Sequence, residues 1–136
     1  MSSRAVVDFL AKVCLSHEES RITLLHLFRK PSASEELMGK KYSDELRERM
    51  LKALQTAKEK LVREGFQPDK IQIEMVTEPY PTIADGIIDQ CRKRDTDIVV
   101  IGRKRMSKAE EFVLGDVSVK LIRALEGVAV LVIKSN

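Results

Sequence analysis

Several residue types are scarce in this 136-residue chain, and each scarcity excludes a class of protein. The two cysteines, Cys14 and Cys91, form neither a CxxC motif nor a metal-binding spacing, which excludes a disulfide scaffold and a thiolate metal site. Two histidines provide no His-rich metal site, so no metal is predicted. Tryptophan is absent and aromatic residues make up 4% of the chain, too few to stack along a nucleic acid. The longest apolar runs are far too short to span a bilayer.

The remaining composition is typical of one globular domain, to which we assign residues 1–136. Hydrophobic residues make up 43% of the chain and charged residues 33%, and the formal net charge is +3. That charge is too small to indicate a nucleic-acid or membrane partner. The first residues, Met1 to Arg4, lack the apolar stretch of a signal peptide. We therefore expect a reduced, cytoplasmic protein.

Two hydrophobic periodicities alternate along the chain. Helices are predicted over residues 4–15 and 43–64, after Thr82, and over residues 115–125; strands are predicted over residues 21–28, 70–76, 97–101 and 128–134. Strands that are separated by helices pair in parallel through right-handed crossovers. The predicted fold class is α/β, a Rossmann-like or flavodoxin-like sandwich with helices on both faces of an open parallel sheet.

Local signals place the ends of these elements. Ser43 is the expected N-cap of the long helix, and Gly65 ends that helix. Thr82 is the expected N-cap of the next helix, with Asp85 in a position close to a capping box. Residues 29–41 and 78–81 are rich in turn formers and are predicted to be connections.

The segment after the 97–101 strand has features of an anion site. Gly102 follows a buried strand directly, which lets a ligand approach the backbone. Gly115 begins the next helix, where free N–H groups can bind an anion. In open parallel sheets, ligands bind beyond the carboxyl ends of the strands, where this segment lies.

At these residues the sequence resembles the universal stress protein family. The match consists of DIVVIG at 97–102, LGDVS at 114–118 and VAVLVIK at 128–134, and it extends over essentially the whole chain. The resemblance implies the adenine nucleotide alpha hydrolase-like fold and, in nucleotide-binding members, a G-x2-G-x9-G motif followed by Ser or Thr. The positions implied for ATP are Leu27, Ile101, Gly102, Arg105, Gly115, Asp116, Val117 and Ser118.

Two of these positions depart from the family motif. Arg105 stands in the place of the second glycine, and Asp116 stands where Ser or Thr is expected. A carboxylate beside a helix N-terminus repels a triphosphate, although the Arg105 guanidinium partly offsets that repulsion. We therefore interpret the chain as a stress-response binding module with a degenerate ATP site and no catalysis. The alternative is an ATP-binding switch or weak nucleotide hydrolase that uses Gly102 and Gly115.

The resemblance also bears on partners. It implies a homodimer formed through the last strand, from Val128 to Ile133. The resemblance also implies a central first strand before the first helix; since the given sequence starts at about that helix, we expect either a shortened form of the fold or a central strand that is supplied by something else. Open strand edges beside that gap would invite pairing with another chain.

Other polar residues have simpler interpretations. The basic residues Arg103, Lys104, Arg105 and Lys108 are expected in a solvated loop, with anion contact as the alternative and nucleic-acid binding as the weakest one. His26 lies within an apolar strand and is interpreted as a core histidine rather than a catalytic base. Cys91 is expected on the inner face of its helix.

Overall fold

The computed structural model describes residues 3–12, 19–29, 33–104 and 117–135. The helices are α1 (Ser3–Lys12), α2 (Ala33–Leu37), α3 (Gly39–Arg63), α4 (Ile83–Lys93) and α5 (Val117–Ala124). The strands are β1 (Ile22–Arg29), β2 (Ile71–Tyr80), β3 (Ile98–Lys104) and β4 (Ala129–Ser135), and a 3-10 turn, Pro68–Lys70, precedes β2. None of the helices in these ranges has the length and apolarity that a membrane crossing requires.

The strands pair in parallel, as predicted for an α/β fold. β1 pairs with β2 in the register Ile22↔Ile71, with an irregularity after Leu27. β3 pairs with β4 in the register Ile98↔Ala129. Over the described ranges, the pairing consists of these two two-stranded sheets, and the α/β class is confirmed. The chain divides into two compact units.

The first of these units comprises Val13–Pro81 and has its core under α3, which contacts both β1 and β2. Leu61 of α3 is completely buried, and Phe66 and Ile71 are nearly so. After α3 ends, Gly65 adopts a φ of +109°, and the N–H of Phe66 donates to the carbonyl of Leu61 at 3.1 Å. The predicted helix end at Gly65 is therefore confirmed, because only a left-handed residue allows this closing bond.

The predicted start of α3 is wrong by one turn. The helix begins at Gly39, so Ser43 lies inside it and is not its N-cap; the N-cap is Met38, whose side chain makes no capping bond. Gly39 has a φ of +81°, a conformation that glycine adopts without a Cβ clash. The left-handed conformation of Gly39 interrupts the helical path between the short helix α2 and α3. Helix α2 lies within residues 29–41, which were predicted to be a connection.

The predicted end of β2 is also wrong. We expected a turn-rich connection at residues 78–81, but β2 continues to Tyr80, which pairs with Arg29 beyond the irregularity. Pro79 lies within the strand. Proline is tolerated there because β2 pairs on one side only in the described part of the chain, so a missing N–H on the other side breaks no ladder bond.

The second unit comprises Met1–Lys12 and Thr82–Asn136. Its core cluster is Cys91, Leu121 and Leu125, which confirms the predicted inward position of Cys91. α1 contacts β3 and β4, and it buries Val7 and Leu10 as its periodicity predicted. Ile122 of α5 is 62% exposed and does not face this core. Residues 117, 121 and 125 recur every four positions and define the buried stripe, and Ile122 lies outside it.

Candidate functional site

Residues on either side of the segment from Gly102 to Gly115 pack against the same apolar core. Ile101 in β3 and Val117 at the first residue of α5 both pack against the cluster of Cys91, Leu121 and Leu125. Gly102 follows Ile101 and is partly buried. The end of β3 and the start of α5 are therefore fixed over one apolar cluster, although the residues are 16 positions apart in the chain.

Within the described residues, the start of α5 has the positive electrostatic character of a helix N-terminus. The N-terminal N–H groups of a helix lack carbonyl acceptors within the helix, and the helix dipole places positive charge there. The first turn of α5 contains no acidic residue, and Arg123 in the last turn complements the opposite end of the dipole. Ser118 is 7% exposed and already has an interaction partner, so its hydroxyl belongs to the buried part of the helix start.

Four other predicted binding residues do not lie at this site in the described part of the chain. Arg105, Gly115 and Asp116 lie outside the described residues. Leu27 belongs to the other unit, where it is 8% exposed and forms the last regular pair of β1 with β2, opposite Val76. The nucleotide-binding role of all eight positions stays a prediction.

His26 makes the contacts expected of a structural histidine. Its ring lies 4.6 Å from that of Phe28, edge to face at 78°. The guanidinium of Arg47 lies 5.8 Å from the centre of the Phe28 ring. Burial lowers the pKa of His26 below its ordinary value of 6.5, so the ring is neutral at pH 7. An aromatic contact and partial burial explain this residue without a catalytic role.

A groove near the amino ends of β3 and β4 could not be predicted from the sequence. A groove of about 440 Å³ borders the amino ends of β3 and β4, and its lining includes Cys91, Arg92, Asp95, Asp97 and Glu126. One guanidinium nitrogen of Arg92 donates to the carbonyl of Ala124 at 3.0 Å. Burial raises the pKa of the Cys91 thiol, and a hydrogen bond with Thr96 opposes that shift only in part. The thiol is therefore protonated and unreactive at neutral pH.

Comparison with known proteins agrees with the resemblance seen in the sequence. The model of the universal stress protein family matches residues 2–134. The solved structure of the hypothetical protein MJ0577, titled as a structure-based assignment of its biochemical function, superposes with a TM-score of 0.70. The sequence identity is 20%, over 99% of this chain and 89% of that chain. At this identity the likeness shows the fold, which is adenine nucleotide alpha hydrolase-like. Comparison with curated proteins gave no match.

Proposed function

Because the chain belongs to the universal stress protein family, we propose that it is a regulatory binding module of the stress response with a weakened adenine nucleotide site and no chemical step. The observation that carries this proposal is the shared packing of Ile101 and Val117. It supports a segment that retains the anchored ends of a phosphate-binding loop. The sequence between those ends no longer has the residues that favour a triphosphate.

The proposed weakening of ATP binding follows from the negative charge next to the start of α5. Asp116 immediately precedes α5, so its carboxylate competes with phosphate for the positive end of the helix dipole. Removing such a charge changes anion affinity by about 0.3–1 kcal/mol, or roughly two- to five-fold. Arg105 attracts phosphate, but its side chain also occupies a position where a glycine would let the backbone approach. The net expectation is weak binding of ATP.

The test is titration calorimetry with ATP and Mg²⁺. The double variant Arg105→Gly with Asp116→Ser is expected to bind ATP roughly two- to five-fold more tightly than the parent. A control variant, Asp89→Ser with Lys93→Ala, also removes one charge of each sign. It breaks the exposed ion pair in α4 (3.0 Å) and should leave ATP affinity unchanged. Tight binding by the parent that the double variant weakens would contradict the proposal.

Catalysis is tested separately by phosphate release. At saturating ATP, the parent and the double variant are both expected to release phosphate at the rate of the buffer alone. Release above that rate by the parent, lost when Gly102 or Gly115 is replaced by valine, would support the alternative of a weak nucleotide hydrolase.

We further propose a homodimer through β4 in the cytoplasm. β4 has an apolar sequence, and in the described part of the chain it pairs only with β3. The N–H of Ala129 donates to the carbonyl of Asp97 at 2.9 Å. Because strand residues alternate in bonding direction, the backbone groups of Val130 and Val132 face the outer edge. The free, buried thiol of Cys91 fits a reducing compartment.

Val132→Pro tests the dimer. It removes an N–H from the outer edge of β4 and leaves the bonds to β3 in place, so light scattering after gel filtration should show a monomer. Val100→Pro is the matched control, because the bonding groups of Val100 face away from β4. If Val132→Pro leaves a dimer intact, the dimer does not form through this edge.

A further inference from the structure

Two large apolar side chains of α5 are exposed to solvent. Ile122 is 62% exposed and Val119 is 40% exposed. They are three positions apart in one helix, so their side chains are neighbours on its surface. We call these two residues the outer flank of α5. Among the described residues of this unit, Ile98 is the only other large apolar residue with comparable exposure.

The outer flank is turned away from α4. Cys91 of α4 belongs to the core cluster against which Val99 of β3 packs, so α4 lies on the β3 side of α5. The two helices are in contact. Ala124 of α5 is half-buried, and its carbonyl accepts a bond from a side chain of α4, whereas Ile122 is left exposed. Helix α4 therefore covers one side of α5 and leaves the outer flank open.

The open side of α5 is also the side of the outer edge of β4. Helix α5 contacts β4, and Val130 of that strand packs against the cluster that includes Leu121 and Leu125. β4 has β3 on one side and no other strand beside it in the described part of the chain. Because α4 lies on the β3 side, the outer flank of α5 lies next to the outer edge of β4.

A dimer through β4 needs more surface than the strand edge provides. Specific protein interfaces contain about 20–30 residues from each partner, whereas β4 has seven residues. Two copies that pair antiparallel through β4 are related by a two-fold axis perpendicular to the sheet, which keeps the same face of each sheet on the same side. On that face, α5 of one copy comes next to α5 of the other.

We propose that the outer flank of α5 packs against the same flank of a second copy of this chain, next to the paired β4 strands. This inference rests on the proposed homodimer and assigns to it an apolar contact in addition to the backbone bonds of the strands. The contact is self-complementary, because Val119 and Ile122 meet the same two residues of the other copy. A substitution in the flank therefore removes apolar area from both sides of the interface.

The experiment measures the dissociation constant of the dimer by analytical ultracentrifugation. Ile122→Ser should raise that constant at least about ten-fold, because both copies lose the side chain. Val119→Ser should raise it less, since Val119 is the smaller and less exposed residue. Leu37→Ser is the matched control: Leu37 is 89% exposed in the other unit, and its loss should leave the constant unchanged. All three residues are exposed, so the variants should fold like the parent, which circular dichroism checks.

Crosslinking gives a second readout that does not depend on affinity. In a Cys14→Ser background, in which the buried Cys91 does not react, Ile122→Cys should give a covalent dimer with a short bifunctional maleimide, and Leu37→Cys should not.

The outcomes separate this contact from the dimer itself. If Val132→Pro is monomeric but Ile122→Ser dimerises like the parent, the proposed flank contact is wrong and the β4 dimer stands. If the parent is monomeric at every concentration, the dimer and the flank contact are both wrong.

Discussion

The one non-glycine residue with a positive φ among the described residues offers a sharp test of the structure. Asp95 has a φ of +52°, directly after the Arg94 cap of α4. The N–H of Thr96 donates to the carbonyl of Cys91 at 3.2 Å, which is the bond of a Schellman motif. Glycine is the residue that this position favours, because a Cβ is crowded in the left-handed conformation.

The size of the effect follows from three contributions to the free energy of unfolding, two favourable and one unfavourable. The left-handed conformation costs a residue with a Cβ about 1–2 kcal/mol, and aspartate lies at the low end. Glycine recovers that cost but adds about 0.4–1 kcal/mol of chain entropy to the unfolded state. Asp95→Gly also removes a negative charge from the negative end of the α4 dipole, which contributes about 0.3–1 kcal/mol. The expected net gain is about 0.5–1 kcal/mol, or roughly 2–3 °C in Tm.

Thermal unfolding followed by circular dichroism measures this gain, and two variants separate its causes. Asp95→Asn removes the charge and keeps a side chain that tolerates the left-handed region, so it should give only the electrostatic part. Asp97→Gly makes the same chemical change at a residue without a positive φ and should lower Tm. If Asp95→Gly lowers Tm as Asp97→Gly does, the left-handed conformation of Asp95 is wrong.

Two further predictions concern a helix cap and a titrating group. Thr82→Ala should lower stability by about 1 kcal/mol, because Thr82 Oγ1 accepts the N–H of Asp85 at 3.1 Å, whereas Thr82→Ser keeps the hydroxyl and should not lower it; urea unfolding measures both. His26 has a lowered pKa in the folded state, so its contribution to stability is complete above 6.5 and is lost as the pH falls below that value. Urea unfolding at pH 7.5 and 5.5 should therefore show a smaller loss for His26→Phe than for the parent; equal losses would contradict this assignment.

Features set by neighbouring residues could be predicted from the sequence. The Thr82 cap is an example, since Thr82 Oγ1 also donates to Asp85 Oδ2 at 2.7 Å, and both bonds lie within one turn. The order of helices and strands is equally local, because each element has its own hydrophobic periodicity. The buried faces of α1 and α4 follow from that periodicity.

Features set by distant residues could not be predicted in this way. β2 continues through Pro79 because β1 offers a partner at Arg29, about 50 positions earlier in the chain. The start of α3 depends on whether Gly39 forms a turn or continues a helix, and composition does not decide between them. The convergence of Ile101 and Val117 on one cluster was accessible only through the spacing of a family motif.

This difference would allow the family fold to persist in a chain whose nucleotide site is weakened as we propose. Ile101 and Val117 stabilise the fold through apolar packing against Leu121, which is completely buried, so their contribution does not require a ligand. Arg105 and Asp116 are of residue types that cores rarely contain, and their effect on a bound phosphate is electrostatic. Changing the two charged residues should alter anion affinity, whereas the packing of Ile101 and Val117 does not depend on them. Truncating Val117 should lower the stability of the unit itself.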